Sequence, residues 1–341
     1  MTDPRLAQAT PWGRMYARDI HSEPEVPSIT TVIGMAPDLP APTAKPPALG
    51  TRANVGALTG WRMRLVQDAT AAYLRNSDEL YHRFPHIPAA VTAARAAGRA
   101  TEAQARAARN AIAATPDVIA DAAAQRGDRV HEFAEALGQW QLGIVSPDTV
   151  AAARAALDEH GDGSYADVLI DWWARWRIEA VANEVTVWNH GLGVAGTLDI
   201  VFRSEGRLYV GDFKSKDDRH GQAKPMSSKV GMQLLNALHA DEEIVDPAAG
   251  TWQPWRFGAP DHLLAIAVSP TEVVPKLINP ATYDTQWRRF GHLRGLWQDY
   301  RDSSEGSVLL PARPPACASA WPDGELAVLA DGIGAPHGAH A

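Results

Sequence analysis

Residues Gly196 to Lys216 read GTLDIVFRSEGRLYVGDFKSK. LDIVF and RLYV are rich in β-branched and aromatic residues and meet at Glu205-Gly206. The stretch therefore predicts two antiparallel strands joined by a two-residue turn, with glycine supplying positive φ. In that register Ser204 faces Arg207 and, counting outward, Asp199 faces Asp212. Directly opposed residues share one face of a sheet, with Cβ atoms roughly 4.5 to 5.5 Å apart. Lys214, two positions along from Asp212, points the same way. Facing carboxylates repel and raise a pKa, so the arrangement costs stability unless a proton or a cation resolves it. A divalent cation is the economical resolution. The alternative reading has the two aspartates capping strand ends or pairing with Arg203 or Arg207.

Working outward, EVTVW precedes the hairpin, and a tight loop near Gly191-Leu192 would set Glu184 opposite Asp199; the alternative is a solvated glutamate at a strand start. Upstream, HEFAEAL predicts a helix carrying His131, four residues after Gly127. Downstream, MQLLNAL predicts a helix carrying Gln233. A helical histidine or glutamine is also an ordinary surface or core residue. Lys216, Arg219, Lys224 and Lys229 follow the second strand closely, placed to meet a phosphate backbone or simply to solvate a loop.

Asp199 followed by Asp212-Phe213-Lys214, with the Gly-Thr-x-Asp opening at Gly196, His131 before and Gln233 after, resembles the PD-(D/E)XK nuclease superfamily in its RecB/Cas4-like exonuclease branch. The ordered set runs from about Gly127 to Ala240, and PSITTVIG at Pro27 is similar to the opening of phage-encoded members. The resemblance implies an α/β fold, a restriction-endonuclease-like core with a mixed central β-sheet flanked by helices, plus an N-terminal helical region. It implies a metal-dependent deoxyribonuclease acting in phage or bacterial recombination, repair or replication. Asp199, Asp212, the Phe213 carbonyl and His131 would hold Mg²⁺ or Mn²⁺. Lys214 with Gln233 would serve catalysis; the strand count adds Glu184 to the catalytic set, and their place just after the second strand makes Lys216, Lys224 and Lys229 the substrate-binding candidates. DNA is the implied partner, with a phage recombinase or single-strand annealing protein beside it, and a homo-oligomer is compatible with ring-forming relatives. The chain departs from the pattern in two places. It has a single cysteine, Cys317, so no Cys-ligated iron–sulfur cluster is expected. The tyrosine usual four residues after the glutamine is Ala237. A structure- or site-specific endonuclease on the same core, a catalytically inactive DNA-binding protein and a metal-dependent hydrolase of other substrates remain rival readings.

The 341 residues are 45% hydrophobic and 21% charged with a formal charge of -8, a composition suited to a globular core and against indiscriminate coating of nucleic acid. The apolar runs are too short for a membrane span, the N-terminus lacks an apolar signal core, and one cysteine allows no intrachain disulfide. A cytoplasmic location, the host's for a phage protein, is the expectation. Composition divides the chain into 1–57, extended and proline-rich; 58–116, helical; 117–302, the nuclease core; and 303–341, a loosely ordered tail whose His337 and His340 are given no role. A helix break is expected at Thr115-Pro116. Trp172, Trp173 and Trp176 at helical spacing read as core in preference to a base-stacking platform. No phosphate-binding Walker loop and no Gly-x-Ser-x-Gly elbow occurs.

Overall fold

The computed structural model describes residues 6–36, 53–75, 83–87, 95, 98–99, 101–218 and 220–305. Arg219, Cys317, His337, His340, most of the proline-rich stretch and nearly all of the expected tail lie outside them. The chain divides into two compact units, Met1–Gln298 and Asp299–Ala341; of the second, 299–305 are described and finish a helix, Tyr283–Glu305.

The first unit is mixed α/β. Three short strands, β1 (Ala7–Thr10), β2 (Gly13–Tyr16) and β3 (Val26–Pro27), pair into a small sheet, followed by helix α1 (Ile29–Gly34). After α2 (Ala53–Arg75) come α3 (Glu102–Gln141), α4 (Pro147–Glu159) and α5 (Gly163–Arg175). The main sheet comprises β4 (Glu179–Asn189), β5 (Val194–Ser204), β6 (Arg207–Ser215), β7 (Glu242–Asp246), β8 (Thr251–Pro254), β9 (His262–Val268) and β10 (Val273–Leu277). Its order is β10-β9-β6-β5-β4-β7-β8, and β6 against β9 is the one parallel pair in it. Helix α6 (Lys229–Leu234) runs into a 3₁₀ turn, Leu235–Leu238.

The β5–β6 hairpin has the expected turn. Ser204 pairs with Arg207 and the ladder continues to Ile200 and Gly211. Glu205 and Gly206 both take positive φ, 50° and 78°, the mirror-image turn whose twist matches flanking strands. One face of the hairpin packs Ile200, Phe202 and Phe213 against Val130 and Phe133 of α3 and Leu169 and Trp172 of α5. The other packs Val201 and Val210 against Leu234 and Leu235. Helices thus cover both faces of the strands that bear the aspartates. Trp172 and Trp173 are buried, with Trp176 packed against them, as the core reading expected.

Two features differ from the sequence reading. The break expected at Thr115-Pro116 does not occur, and α3 runs through Pro116 unbroken. Proline removes one helical hydrogen bond and crowds the preceding turn, yet Thr115 and Pro116 are buried there and the Thr115 hydroxyl donates to the Ala111 carbonyl, so packing outweighs local propensity. The N-terminal segment read as extended carries the small sheet, which is fastened to β5 by a bridge between Ser28 and Ala195 and by the Tyr16 hydroxyl on Thr197.

Candidate metal centre

The hairpin, α3 and α6 converge on one point at the end of the β5–β6 ladder. Asp212 on β6 is almost fully buried. The Lys214 Nζ lies 2.8 Å from each of its oxygens, donating to Oδ1, while Gln233 Nε2 donates to the same Oδ1 at 2.6 Å. Oδ2 has the lysine's charge nearby but no hydrogen bond of acceptable angle, leaving a buried carboxylate oxygen orphaned. Asp199 on β5 accepts from the Phe213 backbone N–H at 2.7 Å and lies 3.5 Å from His131 Nδ1. The His131 ring packs edge-on to Phe213 and hydrogen-bonds to that residue's backbone.

Glycine explains how a helix on the Phe213 side of the sheet reaches this point. A Cβ on Gly127 would sit 3.1 Å from the Ser215 hydroxyl, and one on Gly138 would sit 3.0 Å from the Asn183 amide. The two glycines lie on the same helical face as His131, so α3 can lie close over β4 and β6. Asn183 in turn donates to the Asp199 carbonyl at 2.7 Å.

Glu184 is placed as the strand count expected: Val185 pairs with Leu198 and Asn183 with Ile200, so Glu184 stands across from Asp199. The loop before β5 spans residues 190–193, and the register survives the longer loop. Glu184 itself takes φ 51° within β4, a conformation that costs a non-glycine residue about 1–3 kcal/mol and persists where surroundings impose it. It lines a recess of about 90 Å³ with Asp199 and Lys214. Lys214 and Gln233 also line an adjoining open cleft of about 420 Å³, together with Lys216 and Lys229. Lys224 is exposed and outside both linings; its backbone N–H donates to the Lys216 carbonyl.

The electrostatics record an excess of carboxylates. Burial raises Asp212 to about 6, against the pull of Lys214. Burial likewise raises Asp199. Glu184 is pushed up to about 9 by burial and then by the charges of Asp199 and Glu135. Burial lowers His131 to about 4, with Lys214 adding to the effect, so the imidazole is neutral at pH 7 and its lone pair is available. Lys214 is opposed by burial, but Asp212 and Asp199 outweigh it and hold the ammonium above its ordinary value.

Among the described residues, no three His, Cys, Asp or Glu side chains converge closely enough to hold a metal ion as they stand. The Lys214 ammonium sits at the Asp212 carboxylate, 2.8 Å from each oxygen. The donor set still fits a divalent ion. It offers hard carboxylate oxygens, a neutral imidazole, the Phe213 carbonyl and an orphaned Asp212 oxygen, the chemistry that Mg²⁺ and Mn²⁺ take.

Glu135, Asn183, Tyr16, Arg14 and Asn236 belong to this neighbourhood and were not singled out from the sequence. Glu135 had a legible signal, standing one helical turn after His131. The others come from distant elements and carry no motif. Ala237, where a tyrosine would stand in the resemblance, is fully buried.

No protein-family model and no curated protein matches the chain. A comparison with solved structures aligns it with the crystal structure of SSO0001 at 16% sequence identity and a TM-score of 0.21, covering 54% of this chain and 85% of that one. A superposition of that quality carries no argument about fold or function.

Proposed function

We propose that this chain is a metal-dependent DNA exonuclease on a restriction-endonuclease-like core of the RecB/Cas4-like type, serving recombination, repair or replication in a bacterial or phage-infected cytoplasm. The observation that carries the reading is the meeting of His131, Asp199, Asp212, Lys214 and Gln233 at one end of one hairpin, with more buried carboxylates than cations to balance them. A purely structural sheet has no use for such a cluster, because burying like charges destabilises it.

Asp199, Asp212, the Phe213 carbonyl and His131 would hold Mg²⁺ or Mn²⁺, which supplies Lewis acidity to the scissile phosphate and makes a water nucleophilic at neutral pH. The reaction is hydrolysis: the water oxygen forms a new bond to phosphorus, the bridging P–O bond breaks, and the departing oxygen takes up a proton. Lys214, which lies at the Asp212 carboxylate, would orient the attacking water and offset negative charge growing on the phosphate. Gln233 fixes the Asp212 rotamer. Lys216 and Lys229 at the open cleft suit the backbone phosphates of the arriving strand.

The test is digestion of 5′- and 3′-labelled linear DNA, single- and double-stranded, beside a covalently closed circle, in Mg²⁺, Mn²⁺ or EDTA. Linear DNA is expected to be lost with metal and preserved in EDTA, with Asp212→Ala or Lys214→Ala slower by at least about 10²–10³-fold, the scale of losing one charge-stabilising group. Cutting of the circle would make the protein an endonuclease. Undiminished digestion by a folded Asp212→Ala protein would remove the site assignment.

A further inference from the structure

Residues 53–116 contain eight arginines, no lysine and four acidic residues, which leaves the segment four charges positive in a chain that is eight charges negative overall. Helix α2 and the first half of α3 pair there as a helical hairpin. Arg62 on α2 is fork-bonded to Asp117 on α3 at 2.7 and 3.0 Å, and Ala69 and Ala72 pack with Phe84, Ile87 and Ile112. The Arg95 guanidinium lies over the Tyr73 ring and donates to the Tyr73 and Leu74 carbonyls, so the approach to α3 is tied to the C-terminal end of α2. Arg62, Arg83 and Arg109 each have a carboxylate partner, in Asp117, Asp68 and Glu102. Arg64, Arg75, Arg99 and Arg106 are exposed, and no described residue forms an ion pair with them. Arg64 and Arg75 are eleven residues apart, close to three whole turns, so they share one face of α2 at a separation of about 16 Å. Arg75, Arg99 and Arg106 gather at the end of the hairpin.

Like charges held together on a surface repel, and a polyanion relieves that repulsion. Arginine in every basic position suits phosphate, because the guanidinium presents a fixed fork of donors where lysine presents a point charge. Helix α3 continues without a break from Arg106 to His131, a rise of about 37 Å. The basic hairpin is thus joined by one continuous helix to the proposed metal centre, and the offset equals about 11 base pairs of duplex at 3.4 Å each. We propose that the α2–α3 hairpin is a second DNA surface, on which Arg64, Arg75, Arg99 and Arg106 meet backbone phosphates of the duplex behind the end held in the cleft; the inference rests on the nuclease reading above for its partner. Contacts to phosphate carry no sequence information and let a protein slide, which suits an enzyme that advances along its substrate.

The test uses an Arg64→Ala, Arg75→Ala, Arg106→Ala triple variant, with the corresponding triple lysine variant as the charge-preserving control. All three positions are exposed, and circular dichroism checks that helix content is kept. Affinity for blunt duplexes of about 8, 16 and 24 base pairs, chosen to fall short of or exceed the offset, is read by fluorescence anisotropy in EDTA over a range of KCl concentrations. With the longest duplex, the slope of log affinity against log salt is expected to fall by roughly three in the alanine variant and to be largely kept in the lysine variant. With the shortest duplex, which cannot reach from the cleft to the hairpin, both variants are expected to match the unaltered protein, whereas Lys216→Ala lowers the slope at every length. Equal loss at all lengths, or no loss at the longest, would overturn the second surface. Digestion by the unaltered protein is followed in parallel with Mn²⁺. If DNA is cut and the slope ignores the three arginines, the nuclease reading stands and this one falls. If nothing is cut but the length-dependent loss is seen, the surface stands and the nuclease reading falls. Loss of binding to phosphatidylserine vesicles, with DNA binding unchanged, would assign the arginines to a lipid surface and overturn the proposal.

Discussion

Burial first, and then the neighbouring charges of Asp199 and Glu135, push Glu184 up. Its folded pKa of about 9 lies above its ordinary value of 4.5, so between those pH values the folded chain holds a proton that the unfolded chain has released. Stability therefore decreases as pH rises through that window. Asp212, raised to about 6, contributes in the same direction over its own narrower range. In EDTA, the melting temperature is expected to fall from pH 6 to pH 9, and Glu184→Gln, which cannot ionise, is expected to flatten that fall. Adding Mg²⁺ should raise the melting temperature more at pH 9 than at pH 6, because a cation replaces the proton. Melting curves at four or five pH values would check this, and an unchanged slope in Glu184→Gln would show that the residue stays ionised.

At the scale of elements, helix α3 is the part that local sequence described incompletely. The spacing of Gly127 and His131 was legible, and the structure supplies its physical basis: glycine lets the helix lie against Ser215 on the strand that carries Asp212. Gly138 was unremarked, yet it plays the same part over Asn183, which holds the Asp199 carbonyl. Gly138→Val is expected to cost about 1–3 kcal/mol, the usual scale of overpacking, and to lower cleavage by displacing Asp199 through Asn183. Denaturant midpoints and cleavage rates measured together would test both halves; a rate unaffected despite lost stability would uncouple Asn183 from the site. The hairpin was legible because a two-residue turn fixes register and a one-residue slip would turn Asp199 and Asp212 to the wrong face. The continuity of α3 through Pro116 was not, because it depends on burial among residues distant in sequence. Nor were Arg14, Tyr16 and Asn236, which reach the site through pairings that no local pattern encodes.

For the whole molecule, a formal charge of -8 sets a repulsive background for any polyanion. On the proposed nuclease reading, attraction is local, at the cleft that includes Lys214, Lys216 and Lys229. DNA binding is expected to weaken steeply with salt, and Lys216→Ala or Lys229→Ala should each reduce the slope of log affinity against log salt by roughly one while weakening all sequences alike. Lys224→Ala, outside the cleft lining, is expected to change the slope less. Titrations by anisotropy across a range of KCl concentrations decide it, and a slope indifferent to Lys216 and Lys229 would move the DNA path elsewhere.

The turn at Glu205-Gly206 also has a consequence in time. Strands β5 and β6 are neighbours in sequence and can zip together on a scale of microseconds, whereas β6 meets its parallel partner β9 only after α6, β7 and β8 have been laid down. Loop closure makes that second pairing slow. Asp199 and Asp212 are thus brought face to face early in folding, before Gln233 on α6 is docked. The nascent hairpin must carry its self-repulsion through the transition state. Refolding in stopped flow is accordingly expected to quicken when Mg²⁺ is present, with unfolding rates much less affected.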